Sequence, residues 1–148
     1  MADLERFIAA QAAIYPDIVA ELENGAKCSH WMWFVFPQIA GLGRSETARR
    51  YAIADLAEAR AYLAHPVLGA RLDECTDTML GWAGERSAAA ILGEIDAMKF
   101  RSSMTLFEAA AGPGKTPGNE RFARALDAFC AGRRDERTLH LIDRPPAA

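Results

Sequence analysis

The stretch Cys28-Ser29-His30-Trp31-Met32-Trp33-Phe34-Val35-Phe36-Pro37-Gln38 limits what this chain can fold into more than any other. Four aromatic rings and a histidine fall within seven residues, from His30 to Phe36. Burying one large ring removes roughly 200 Å² from water, worth about 5 kcal/mol at ~25 cal/mol per Å² as an upper bound. Such a segment has to be core or the wall of a pocket. Periodicity leaves its secondary structure open. As a helix it puts Trp31, Phe34, Val35 and Gln38 on one face; as a strand it aligns His30, Met32, Phe34 and Phe36. The neighbouring segments read helical and a lone strand would lack a partner, so a short buried helix ending near Pro37 is expected.

The length of 148 residues suits one domain spanning 1–148, large enough to bury a core. Hydrophobic residues make up 51% and charged residues 25%, as in ordinary soluble globular proteins. A net charge of −3 argues against general nucleic-acid affinity, which needs a basic surface. The first residues, Met1 to Arg6, lack the pattern of a signal peptide, and no apolar run is long enough to span a membrane. Cys28, Cys75 and Cys130 are widely spaced and odd in number, which suits free thiols in a reducing cytoplasm.

Taken in order, the chain reads as an all-α domain of about seven to nine short helices. Asp3 is placed to cap a helix over about 3–13 with Leu4, Phe7, Ile8 and Ile14 inward. Pro16 opens a second helix to Glu23, stopped by Asn24-Gly25. After the turn Gly41-Leu42-Gly43, Ser45 caps a helix to about Ala54, and Asp55 caps another from Leu56 to Ala64. Pro66 starts a helix through Leu68, Leu72, Cys75 and Met79. Ser87 opens a short helix, Ala88 to Leu92, closed by Gly93. The run from Glu94 then leads into a helix ending by Gly112. Gly112 to Gly118 reads as a flexible loop, and Asn119 caps the helix that carries Phe122, Leu126 and Phe129. Asp135 caps a final turn or two, and the tail 143–148 is expected to be disordered.

Several candidate motifs compete with plainer readings. Gly114-Lys115-Thr116 suggests a phosphate loop, but Ala109 stands where that loop needs glycine and no strand precedes it. Of the possible metal ligands His30, His65, His140 and Cys28, only Cys28-x-His30 shows a short spacing, so no metal site and no cofactor are expected. His30 is the polar residue of the most apolar stretch. Buried and unpaired it would cost about 1–3 kcal/mol, so a partner is expected for it. It is then either a satisfied structural histidine or an acid–base group titrating near neutrality. Gln38 has the same two readings. Lys99, Arg101, Ser102 and Ser103 form a second polar cluster entering a helix. It is either a capped, solvated basic flank or an anion-binding helix start. Trp82, Cys75 and Cys130 read as packing.

Four blocks carry a resemblance: Ser29 to Gln38; Gly41-Leu42-Gly43-Arg44-Ser45; Tyr62 to Leu72; and Lys99-Phe100-Arg101-Ser102-Ser103-Met104-Thr105-Leu106-Phe107. With Asp135-Glu136-Arg137-Thr138-Leu139, they resemble domain-of-unknown-function family 1810 over nearly the whole chain. The family's Lys-Leu-Arg-Ser-Ser pattern stands here as Lys99-Phe100-Arg101-Ser102-Ser103. The resemblance implies an all-helical bacterial protein. Some members carry the label calpastatin, but calpastatin inhibitor segments are disordered and this chain is too apolar for that. A general likeness to glycosidase-like proteins acting on ADP-ribose rests on no aligned motif, so no catalytic residue carries over.

Two functions follow as expectations. In the first, His30, Trp31, Trp33 and Gln38 line one wall of a pocket, and Lys99, Arg101, Ser102 and Ser103 supply an anion-binding side. The ligand is a small anionic molecule with a flat ring, such as a nucleotide derivative. Any hydrolytic chemistry falls to His30 as general acid–base. In the second, the same residues hold helices together in a non-enzymatic interaction or scaffold module. Neither membrane nor nucleic acid is an expected partner, and no protein partner is indicated.

Overall fold

A computed structural model of the chain describes residues 3–112 and 120–143. It is all-α, with ten helices among the described residues: α1 Glu5–Ala12, α2 Tyr15–Glu23, α3 Met32–Val35, α4 Glu46–Arg50, α5 Leu56–Ala64, α6 Leu68–Leu80, α7 Ala88–Leu92, α8 Glu94–Ala111, α9 Arg121–Cys130 and α10 Glu136–Ile142. Seven of them have seven residues or more, in line with the seven to nine expected, and α3, α4 and α7 are single turns of four or five residues.

The helix starts follow local chemistry. Ser45 Oγ accepts from the Ala48 amide at 3.0 Å, Asp55 Oδ1 from Glu58 at 2.8 Å, Ser87 Oγ from Ala90 at 3.0 Å, and Asp135 Oδ2 from Thr138 at 3.1 Å. Each satisfies an amide that the helix leaves without a partner. A fifth cap is His65, whose Nδ1 accepts from the Val67 and Leu68 amides at 3.1 and 3.2 Å. Asp3 does not cap α1: the helix begins after Leu4 without a side-chain cap, and the Asp3 carbonyl accepts from Arg6 instead. Gly93, at φ +92°, ends α7 and begins α8 in a backbone region that side chains disfavour.

α8 is the central element. It packs against α5, α7, α9 and α10, and residues 102–107 are buried on every face. Phe100 sits edge-on to Phe36 at 5.0 Å and to Phe129 at 6.0 Å, while Phe107 meets Tyr62 at 5.3 Å. The aromatic stretch therefore does reach the core, through Trp31, Phe34 and Phe36. Its helix is short and ends just before Pro37, as expected: Met32–Val35 is helical with Phe36 as its cap, and beyond Pro37 Ile39 pairs with Ile53 in a parallel bridge, with the Ala40 amide donating to Ile53 O and the Ile53 amide to Gln38 O, both at 2.8 Å. The same bridge ends α4 at Arg50 rather than near Ala54.

α9 begins after Glu120, and the expected cap Asn119 lies outside the described residues, as do most of the glycine-proline loop and the tail beyond Asp143. All three cysteines are free thiols. Cys75 is buried and burial pushes its thiol up to about 12, so it fills core space; burial raises the Cys130 thiol as well. Trp82 packs with its indole N–H on Leu22 O at 2.9 Å. Among the described residues no helix is long and apolar enough to cross a membrane.

Candidate functional site

The turn between α2 and α3 is pinned by one residue that the sequence did not single out. Glu21, on α2, accepts from the Cys28 amide at 2.7 Å, the Ser29 amide at 2.9 Å, the Ser29 hydroxyl at 2.7 Å and the Trp31 indole N–H at 3.0 Å. Partial burial raises its carboxyl pKa. The bonds from Ser29, Cys28 and Trp31 outweigh that and bring it from an ordinary 4.5 down to about 2.

This clamp decides where the predicted site residues go. Trp31 is drawn fully inside, its ring against Phe36, and it belongs to the core rather than to a pocket wall. His30 goes the other way. It precedes the first turn of α3, is exposed, and makes no hydrogen bond with another described residue. The expectation of a buried histidine with a partner is thus overturned: the backbone that carries it is tied down on the outside by Glu21.

Trp33 remains half-buried on the outer side of α3, with the Lys99 ammonium 5.1 Å from its ring centroid. His30, Trp33, Lys27, Ile95, Asp96 and Lys99 are among the residues lining a cleft of about 500 Å³. Both lysines reach Asp96, Lys27 Nζ at 2.8 Å and Lys99 Nζ at 3.6 Å.

Lys99 and Ile95 also form one end of a second, smaller cleft of about 280 Å³, bounded by Gln38 and Leu42 on one side and Asp135 and Arg137 on the other. A third cleft, about 700 Å³, continues past Arg101 to Arg133, Arg137 and Leu139. Shared lining residues join the three into one open groove along the outer face of α8.

The expected anion-binding helix start does not exist. Lys99, Arg101, Ser102 and Ser103 sit well inside an eighteen-residue helix whose amides are bonded within it, and its first turn carries Glu94 and Asp96. What remains is side-chain charge. Arg101 Nη2 stands 4.0 Å from Asp135 Oδ1, and its buried Nε has no partner among the described residues. Ser102 lines the second cleft, but its hydroxyl lies 3.0 Å from Asp135 Oδ2 and 3.3 Å from Met98 O. It joins α8 to the start of α10, as does Thr105 Oγ1, which accepts from the Asp135 amide at 3.0 Å. Ser103 is fully buried, lines none of the three clefts, and its Oγ lacks a partner among the described residues.

The predicted set therefore divides in three. His30, Trp33 and Lys99 share the first cleft; Gln38, Lys99, Arg101 and Ser102 share the second; Trp31 and Ser103 belong to the interior. Acid–base catalysis by a histidine needs a second group that fixes its tautomer and orientation. No described residue does this for His30. Among the described residues there is also no group of three His, Cys, Asp or Glu side chains placed to hold a metal ion.

Comparison with known proteins gives two matches. The model of a family described as "Protein of unknown function (DUF1810)" matches residues 1–142. A crystal structure of the conserved hypothetical protein Rv1873 from Mycobacterium tuberculosis is 46% identical and superposes with a TM-score of 0.88, covering 97% of this chain and 98% of that one. No curated protein matches.

Proposed function

Because the chain belongs to the DUF1810 family of proteins of unknown function, we propose a function from its own geometry: it binds a small anionic ligand carrying a flat ring, of the nucleotide type, in the groove along α8. The observation that carries this reading is the position of Lys99. It is the wall common to the Trp33 cleft and the Arg101 cleft, so one ligand can reach an aromatic face and a guanidinium together. The ring lies against Trp33 beside His30, and the anionic group takes Lys99 and Arg101.

Lys99 is available for this. Among the described residues it is held only by a 3.6 Å contact to Asp96 and by the Trp33 ring, partly exposed interactions worth about 0.5–1 kcal/mol each. Among the described residues Arg101 has a single distant carboxylate partner, and an anion in the groove would give it closer bonds. Gln38, across the second cleft, is placed to read the ligand's polar edge. Catalysis is not part of the proposal, since no described residue orients His30; in this reading it is a wall of the binding site.

Thermal-shift measurements with adenosine, AMP and ADP test the proposal. A ligand at 100 times its Kd adds about 2.7 kcal/mol, which raises Tm by roughly 5–10 °C for a chain of this size. AMP and ADP are expected to produce such a shift and adenosine a smaller one. Trp33→Ala and Arg101→Ala are each expected to weaken nucleotide binding roughly tenfold, about 1.4 kcal/mol. Shifts that are equal for adenosine and AMP, or that survive in both variants, would remove the reading.

A further inference from the structure

The far end of the groove has a character that a small ligand does not explain. Four large hydrophobic side chains are exposed among the described residues, and three of them, Ile95, Met98 and Leu139, line these clefts. Ile95 and Met98 are 72% and 64% exposed, on the same outer face of α8, one turn apart. Scattered exposed apolar residues need no explanation, but a group of them along one groove marks a contact surface.

The charge around them is equally uneven. The second and third clefts are lined by five basic residues and two acidic ones, in a chain whose net charge is −3. Arg134 is engaged by Glu108 in a two-pronged pair at 2.9 and 2.5 Å. Arg133 and Arg137, in contrast, make no side-chain hydrogen bond or ion pair with another described residue, and Arg101 has only its 4.0 Å contact. Unpaired guanidinium groups beside bare aliphatic side chains suit carboxylates carried on an apolar scaffold.

We propose that the face formed by α8 and the start of α10 is the docking site for an acidic amphipathic helix of another protein. Ile95, Met98 and Leu139 take its apolar side chains, and Arg101, Arg133 and Arg137 take its carboxylates. A helix suits the surface better than a strand, because an added strand needs a free sheet edge and the described residues contain only one isolated bridge. The groove floor fits this: Ile95 to Arg101 covers about 9 Å of α8, close to two turns of a partner helix. Nucleic acid would use the arginines but leave the aliphatic side chains in water, which makes it the weaker match to this surface. The inference shares Ile95 and Arg101 with the part of the groove used in the nucleotide reading, but it rests on Met98, Leu139, Arg133 and Arg137 and needs no contact to Trp33.

A phage-displayed library of random peptides about 15 residues long, selected on the wild-type protein, tests this directly. Enriched peptides are expected to combine Asp or Glu with Leu, Ile, Phe or Met at helical spacing. As synthetic peptides, measured by fluorescence anisotropy, they are expected to bind the double variant Met98→Asp, Leu139→Asp roughly tenfold or more weakly, with a similar loss in Arg101→Glu. Both apolar positions are exposed, so the double variant should keep the wild-type Tm within a few degrees. Trp33→Ala is expected to retain peptide binding, which separates this result from the fate of the nucleotide proposal. Absence of enrichment, enrichment of acidic peptides lacking apolar residues, or equal binding to the double variant would each overturn the inference; the second outcome would mark a general polyanion site.

Discussion

Replacing Glu21 with alanine is expected to lower the unfolding free energy by about 3 kcal/mol, read as a shift of the urea midpoint at neutral pH. The carboxylate accepts four hydrogen bonds, from Cys28, from the amide and hydroxyl of Ser29, and from Trp31. The donors at Cys28 and Ser29 are exposed and can turn to water, so their loss is small. The Trp31 indole N–H cannot, because Trp31 is fully buried, and a buried donor left unpaired costs about 1–3 kcal/mol. Release of the turn adds to this, since it is the clamp that holds residues 28–31 in place. The sign of the pH effect follows from the same bonds. A carboxyl lowered in the folded state from 4.5 to about 2 contributes stability that is full above pH 4.5 and is lost as pH falls through about 2. The gap between wild type and Glu21→Gln, which cannot ionise, should therefore be widest near neutral pH and narrow steadily toward about pH 2. A gap of constant size across that range would show that the charge of Glu21 plays no part in holding the turn.

That clamp also explains why the site was only half legible from the residues. The density of rings between Trp31 and Phe36 requires burial, and Trp31, Phe34 and Phe36 are indeed core, because burial of large rings dominates whatever their neighbours do. The fate of His30 and Trp31 is different. Adjacent residues go to opposite environments, and the residue that decides it is Glu21, on the preceding helix and with no local signature. Lys99 and Arg101, grouped from the sequence, both line the second cleft. The chemistry assigned to them was wrong in origin: α8 starts at Glu94, so these residues offer side-chain charge and no free amides. Arg133 and Arg137 escaped notice because only the packing of α10 on α8 brings them to Arg101. Ile95 and Met98 did leave a trace. They are apolar residues standing among Glu94, Asp96, Lys99 and Arg101 in the first two turns of α8.

Helix boundaries were legible where the signal is local. Ser45, Asp55, Ser87 and Asp135 each bond the amide three residues on, and that geometry follows from residue type and position alone. The end of α3 was legible too, at Pro37, but the early end of α4 was not, because it is set by the bridge between Ile39 and Ile53, fourteen positions apart in sequence. No periodicity within either segment reports a pairing of that kind.

Gly69 presents the opposite problem, a residue whose local reading has the wrong sign. A glycine within the first turn of α6 should be a weak point, and alanine at such a position normally stabilises a helix by about 1 kcal/mol. Here a Cβ would stand 2.2 Å from the backbone oxygen of Leu63 and 3.1 Å from its carbonyl carbon. The obstacle is main chain at the end of α5, not the tip of a flexible side chain, so it cannot swing aside. The two helices must move apart, and α5 also packs on α8, the floor of the groove. Gly69→Ala is therefore expected to destabilise by about 3 kcal/mol or more, at the upper end of overpacking costs, lowering Tm by about 10 °C. The neighbouring exchange in reverse provides the scale: Ala70→Gly, at an exposed position of the same helix, should cost about 1 kcal/mol through propensity alone. A Gly69→Ala protein as stable as wild type, or more so, would mean that α5 and α6 do not approach as closely as described, and with them the support beneath α8 would have to be redrawn.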